Sequence, residues 1–244
     1  MVFVKKSNYA FISKEIDSKF GLNIEEMFKY GLHFGHRVSR CNPKMKKNIF
    51  GVRNTVHIIN LEKTAESFEK ALSHIQDLIS SDKSLMIVGT KIQMQDLVKD
   101  LADKFDLPYV VNRWLGGTFT NFEVIKKRVD YFKDLEKKKE SKELEKYTKK
   151  ERIKINKELE DLKAKFEGIR NLDKLPDAIF VLDVIKDKLA VKEAKDKGIE
   201  VIGIVDTNID PDLVDFPIFA NDDAITSVKY ILGKVAEAIK KAKK

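Results

Sequence analysis

The 244-residue chain has one cysteine, Cys41, so no disulfide can form within it, and a reducing cytoplasm is the compartment it suits. Long apolar runs are missing as well. The stretch from Ser7 to Lys19 is interrupted by Ser13, Lys14, Glu15 and Asp17, which falls short of a signal peptide. No segment approaches the roughly 20 apolar residues that span a bilayer. The eight-residue phosphate-loop pattern and the spaced three-glycine dinucleotide fingerprint are both absent. No Ser/His/Asp trio can be argued, and Cys41 has no identifiable base partner, so catalysis has little support. Internal repeats are absent too.

One further absence is local. Between Arg37 and Arg53 there is no acid, while Arg37, Arg40, Lys44, Lys46, Lys47 and Arg53 supply six positive charges. A second window, Lys126 to Arg170, holds 17 Lys/Arg against 11 Asp/Glu, again a surplus of six. The whole chain carries +8, so the remainder is net −4. Segregated cations on a mildly acidic body suit a polyanion, because each neutralised phosphate releases condensed counterions. The hydrophobic share of 43% supports one large domain or a domain with an insertion.

Residues 1–22 read as a loosely attached leader. Ile24 to Tyr30 predicts a short helix ended by Gly31, and Arg37 to Arg53, with Asn42-Pro43 and no period, an extended surface loop. A regular pattern follows. Val56–Ile59, Leu85–Val88, Tyr109–Val111, Ala178–Leu182, Val201–Val205 and Ile218–Phe219 are short apolar strand candidates. Helical periodicity runs over Leu61–Ser80, Ile92–Phe105, Leu189–Lys197 and Ala224–Lys240. Apolar strands alternating with helices predict an α/β fold, a parallel sheet covered on both faces. From about Phe122 to Asn171 the alternation stops. Ile155, Leu159, Leu162, Phe166 and Ile169 recur at heptad intervals, and Ile125, Val129 and Phe132 begin a matching seam. Two zipped helices of about 20 residues would form an inserted antiparallel coiled-coil helical hairpin about 30 Å long, with its turn within Lys137–Lys150.

Four places carry residues that could support chemistry. Gly89-Thr90-Lys91 opens a helix after a strand and could bind phosphate, but a plain strand-to-helix turn fits the motif better. His33, His36 and Cys41 lie within nine residues but lack a fourth ligand at a usable spacing, which favours a tight, partly aromatic turn over a metal site. Asp206, Asp210 and Asp212 could hold Mg²⁺, although Asp206-Thr207-Asn208 and Asp210-Pro211-Asp212 are also strong turn-capping sequences. In Asn112–Phe122, Arg113 and Trp114 with Gly116-Gly117 suit phosphate contact and stacking. Alternatively Trp114 and Phe119 pack under the helical arm, with Arg113 still exposed.

Taken together, several words resemble one family. They are Gly31-Leu32-His33-Phe34-Gly35-His36, Asn42-Pro43-Lys44-Met45, Ile49-Phe50-Gly51-Val52-Arg53-Asn54 and His57-Ile58-Ile59-Asn60-Leu61. Val88-Gly89-Thr90-Lys91, Arg113-Trp114-Leu115-Gly116-Gly117, Thr120-Asn121-Phe122 and Leu175-Pro176-Asp177 continue the series. Ile204-Val205-Asp206-Thr207-Asn208, Asp210-Pro211-Asp212 and Asn221-Asp222-Asp223-Ala224-Ile225 complete it. In this order, from about Ile24 to Leu232, they resemble the bacterial-type small-subunit ribosomal protein S-two family. The family often has Trp where Cys41 stands and a Met-Leu type pair where Thr118-Phe119 stand.

The resemblance implies a flavodoxin-like three-layer fold with the hairpin as an insertion. It divides the chain into a leader (1–22), an α/β RNA-binding domain (23–121 and 172–244) and a coiled-coil insertion (122–171). It implies a cytoplasmic, non-enzymatic constituent of the small ribosomal subunit, with no cofactor and no membrane. That protein would bind 16S-type rRNA near the head–body junction beside neighbouring ribosomal proteins and support docking of the messenger-binding protein S-one. The expected phosphate contacts are Arg37, Arg40, Lys44, Lys46, Lys47 and Arg53 on the basic loop, and Lys126, Lys127 and Arg128 at the arm's base, with Arg113 bridging them. Two other classes compete: a nucleotide- or Mg²⁺-dependent enzyme using Gly89-Thr90-Lys91 and Asp206, and a coiled-coil adaptor with no nucleic-acid role.

Overall fold

Helix boundaries follow from capping chemistry and apolar spacing. Asn23 and Asn60 each turn a side-chain oxygen onto the backbone N–H two residues on (2.7 and 2.9 Å), which starts helices α1 (Ile24–Lys29) and α2 (Leu61–Ser80). Gly31, at φ +78°, ends the first because a side chain is strained in that conformation. A computed structural model describes residues 18–141 and 146–243, which form two compact units.

The unit built from described residues 18–81 and 202–243 holds α1, α2 and a three-stranded antiparallel sheet. Its strands are β1 (Phe34–Arg37), β2 (Ile49–Arg53) and β3 (Val56–Ile59), in the order β1-β3-β2. Asn54 and Thr55, at φ +46° and +65°, make the two-residue turn between β2 and β3, the left-handed conformation that matches strand twist in tight hairpins. The unit also holds most of β7 (Glu200–Val205), with β8 (Phe216–Phe219) parallel to it, and the final helix α7 (Ile225–Ala242). Phe68, Ala71, Leu72 and Ile75 of α2 are fully buried, as their 3/4 spacing predicts, and α2 packs on α7 and β8.

The unit Asp82–Val201 holds β4 (Leu85–Val88), α3 (Gln95–Phe105), β5 (Tyr109–Val110), α4 (Phe122–Glu140), α5 (Lys149–Phe166), β6 (Ala178–Val181) and α6 (Lys188–Asp196). Strand β4 pairs in parallel with β5 and β6, and both β4 and β6 are buried throughout. The five parallel strands run in the order β5-β4-β6-β7-β8, the expected α/β sheet.

Helices α4 and α5 pack on each other, burying Val129, Phe132 and Leu135 on one and Leu159, Leu162 and Phe166 on the other. A capping box of Thr148 and Glu151 opens α5. The Tyr131 hydroxyl donates to Glu158 at 3.2 Å, and Arg170 pairs with Glu136 at 3.0 Å. Residues 142–145, including Leu144 of the expected turn, lie outside the described residues, as do residues 1–17 of the expected leader. Within the span read as leader, Phe20 and Leu22 are buried.

The basic segment departs from the extended loop expected of it. After β1 come two 3₁₀ turns, Val38–Arg40 and Pro43–Asn48, and then β2. Asn42 caps the second turn by accepting from Lys44 N–H (3.0 Å), and Pro43 supplies a helical φ at its first position. The lysines and Gly51 hide this regularity, because they break the apolar alternation that marks a strand.

Candidate nucleic-acid interface

In the second 3₁₀ turn, Met45 and Asn48 point inward three residues apart and are buried. That spacing leaves Lys44, Lys46 and Lys47 exposed on the outer side. The turn is fastened from beneath by the Asn42 N–H, which donates to the Thr207 carbonyl at 2.8 Å, and by the Asn60 N–H, which donates to the Asn48 carbonyl at 2.9 Å. Arg37 on β1 and Arg53 on β2 are both register partners of Val56, so they stand on either side of β3 at one end of the small sheet. Arg40 is exposed on the first turn.

Lys44 differs from its neighbours. Its ammonium lies 2.8 Å from Asp210 and 2.6 Å from Asp212, and these two hydrogen bonds hold its pKa above the ordinary lysine value. Asp210 also caps the N–H of Asp212 at 3.0 Å. The Asp210 carboxylate therefore serves both the turn and the lysine, as the turn-capping reading of Asp210-Pro211-Asp212 has it, while the Asp212 carboxylate serves the lysine. Asp206 is buried and lies 3.0 Å from His36 Nδ1, while Nε2 of the same ring is 3.4 Å from exposed Asp223. The Asp206 hydrogen bond raises the His36 pKa. His33, three residues earlier, stacks on Phe28 (4.2 Å) and meets Phe34 at a tilt (4.0 Å), and burial beside Arg53 lowers its pKa to about 4. His33 and His36 thus take opposite roles, one pushed toward the neutral form among aromatic rings, the other beside carboxylates that favour its protonated form. The described residues that could jointly face one cation are His36, Asp206 and Asp222, with ligand atoms within 4.8 Å of each other. His33 and Cys41 are not among them.

In the Asp82–Val201 unit, the Gly89-Thr90-Lys91 turn is occupied by the protein's own carboxylates. Asp187 accepts from Thr90 N–H (3.2 Å) and from its hydroxyl (2.8 Å), Lys91 pairs with Asp183 at 2.8 Å, and Lys186 donates to the Thr90 carbonyl at 3.0 Å. Burial raises the Asp187 pKa against those donors. Gly89 is required because a Cβ there would lie 2.7 Å from Leu182 and 2.9 Å from Val98. The plain-turn reading therefore holds.

Arg113–Phe122 is organised by a residue that the sequence did not single out, Glu193 of α6. One carboxylate oxygen accepts from Gly117 N–H (2.8 Å) and the Trp114 indole (3.4 Å). The other accepts from Phe119 N–H (2.9 Å), Thr120 N–H (3.3 Å) and the Thr120 hydroxyl (3.4 Å). Burial alone would push this carboxyl up, but its donors outweigh burial and hold it below its ordinary value. Trp114 and Phe119 are buried and meet edge to face at 4.8 Å, which removes them from base stacking, while Arg113 is exposed. The two aromatics are packed rather than free to stack, but their contacts are each other and Glu193 of α6. Lys126 donates to the Asp173 carbonyl at 3.1 Å and lies 3.4 Å from its carboxylate, whereas Lys127 and Arg128 are exposed.

A cavity of about 790 Å³ beside α2 and β8 is lined by Lys63 and Lys70 but also by Glu66, Glu69, Asp77 and Asp215, a net negative wall that disfavours a polyanion. Among the described residues, no helix is long and apolar enough to cross a membrane.

Fold and surface together define the class: an α/β protein of parallel strands carrying a small antiparallel sheet whose exposed edge is cationic. Comparison with known proteins then gives the family, because the family described as Ribosomal protein S2 matches residues 27–242. Two similar proteins are both called small ribosomal subunit protein uS2. The one from Wolinella succinogenes is 43% identical over 91% of this chain and 82% of its own length. The one from Coprothermobacter proteolyticus is 42% identical over 89% and 81%. This chain belongs to the ribosomal protein S2 family.

Proposed function

We propose that the protein is a structural, non-enzymatic constituent of the small ribosomal subunit in the cytoplasm. It binds 16S-type rRNA near the head–body junction and supports docking of ribosomal protein S-one. The family membership and the names of its relatives support the ribosomal role. The observation that carries RNA contact is the acid-free segment Arg37–Arg53, whose Arg37, Arg40, Lys46, Lys47 and Arg53 face solvent from a sheet edge and a pinned turn. Lys44 serves this surface from its carboxylate pair, and Arg113, Lys126, Lys127 and Arg128 add contacts from the other unit. Residues 23–121 and 172–244 read as a flavodoxin-like three-layer body, into which 122–171 is inserted as an antiparallel coiled-coil hairpin. The nucleotide-enzyme reading loses support because Asp187 already fills the Gly89-Thr90-Lys91 turn.

The test is filter binding of the full chain to 16S-type rRNA across a salt series. Replacing Arg37, Arg40, Lys46 and Lys47 together with Ala is expected to flatten the log–log slope by about three units, at roughly 0.7–0.9 per lost phosphate contact. An unchanged slope refutes the assignment.

A further inference from the structure

We propose that the Asp82–Val201 unit carries a second site for the ribosomal RNA backbone, a cleft in which Lys99, Arg113, Lys163 and Lys165 hold phosphates. It rests on the RNA-binding reading above and adds three lysines that neither sequence nor family motif singled out. The cleft lies where α3, the chain leaving β5 and the end of α5 meet. Three elements reach it because two short contacts bring them close. Gly168, just past α5, lies flat on Tyr109, where any Cβ would collide with the Tyr109 carbonyl oxygen. Asn112 donates from its side chain to the Ala164 carbonyl at 2.6 Å, tying the exit of β5 to α5.

The cleft's walls contain four cations and a single acid, Glu167, which lies 3.5 Å from Lys163. Asp103 and Glu167 also act on the Tyr109 hydroxyl, whose pKa burial raises first and these carboxylates raise further. Lysines in the last turn of a helix have an ordinary reason to be there, since they offset its dipole. That reason covers Lys163 and Lys165 but not Lys99 on α3 or Arg113 on a loop. Glu167 offsets Lys163, which leaves Lys99, Arg113 and Lys165, one from each of three elements, beside one small concavity, and a phosphate diester placed there would offset this surplus. Arg113 comes from a loop already fixed by the carboxylate of Glu193, so ordering it on RNA costs less entropy than ordering a free arginine.

The test compares full-length wild type with the triple variant Lys99→Gln, Arg113→Gln, Lys165→Gln. All three residues lie at the surface, and circular dichroism verifies folding. Binding to 16S-type rRNA is expected to lose about two units of salt slope, and Lys99→Arg with Lys165→Arg should keep the wild-type slope. A triple variant with the wild-type slope overturns the cleft. If the four-residue variant of the basic turn still flattens the slope, the general RNA reading survives that failure. If wild type itself shows no salt-dependent rRNA binding, both fall. Inorganic phosphate added at constant ionic strength should displace RNA no better than chloride, and selective displacement would assign the cleft to a small anion instead.

Discussion

The Gly89–Lys91 turn and the Arg113–Phe122 loop both follow a strand of the parallel sheet, and each is held by a buried carboxylate, Asp187 in one and Glu193 in the other. Their surfaces differ because of how the neighbouring cation is used. Lys91 is tied to Asp183 at 2.8 Å, so the first turn closes its charges internally. Glu193 spends its oxygens on backbone N–H groups and the indole, so Arg113 remains exposed. A strand-to-helix turn with glycine and lysine can thus be a closed structural joint, while a loop that looks like a packed aromatic linker presents the cation. What separates them is which donors the anchoring acid accepts from, and glycine content does not reveal it.

The largest expected effect breaks one side of this comparison. Glu193→Ala leaves three backbone N–H groups and the indole without their acceptor, and should lower unfolding free energy by about 3 kcal/mol in denaturant melts. Glu193→Gln keeps the shape and should lose about half of that. A loss under about 1 kcal/mol for the alanine variant would show that the carboxylate does not organise the loop. The second test uses the opposite pKa shifts of the two acids. Glu193 is held below its ordinary 4.5, so the advantage of wild type over Glu193→Gln is full above that pH and shrinks as pH falls through the folded value. Asp187 is raised above 3.8 by burial, so wild type loses stability relative to Asp187→Asn as pH rises from there through the folded value. Melts between about pH 3 and pH 7 should therefore give difference curves of opposite sign, and curves of the same sign would erase the distinction. The smallest effect is on binding. Arg113→Ala should lower the rRNA salt slope by about one unit and Lys91→Ala should leave it unchanged. Equal slopes in the two variants would mean the turns are not functionally different.

Much of the scaffold was legible because local signals and tertiary packing agree. Helix α2 spans Leu61–Ser80 as its 3/4 apolar spacing predicts, and β4 spans the continuous run Leu85–Val88. The small antiparallel sheet was not legible. Its β1 and β2 carry Gly35, Gly51, histidine and arginine in place of alternating apolar residues, and its shape is fixed by partners near residue 207, far along the chain. Glu193 was missed for a different reason. Among the lysines of Lys188–Asp196 it resembles an ordinary surface acid, yet it lies three residues from Ala190 and next to Ala194, on the buried stripe. An acid placed on a helix's apolar face was the available signal. Phe119, only 1% exposed, packs edge to face on Trp114, an apolar filling that the glycines and threonines around it give no hint of. For the candidate contacts, sequence identified the cations but not which were already paired, as Lys44 shows.

The fastening of the basic turn has a consequence for how the molecule is made. Lys44 clasps Asp210 and Asp212, Asn42 hangs from Thr207, His36 reaches Asp206, and the Asn221 N–H donates to the Leu32 carbonyl. Every one of those partners is synthesised more than 160 residues after the segment it secures. A growing polypeptide therefore exposes its most cationic stretch early but cannot lock it into final form until the last strands have emerged. The segment thus acquires its full set of long-range tethers only in a nearly finished copy, an ordering cost that is met late because these contacts are so far apart in sequence.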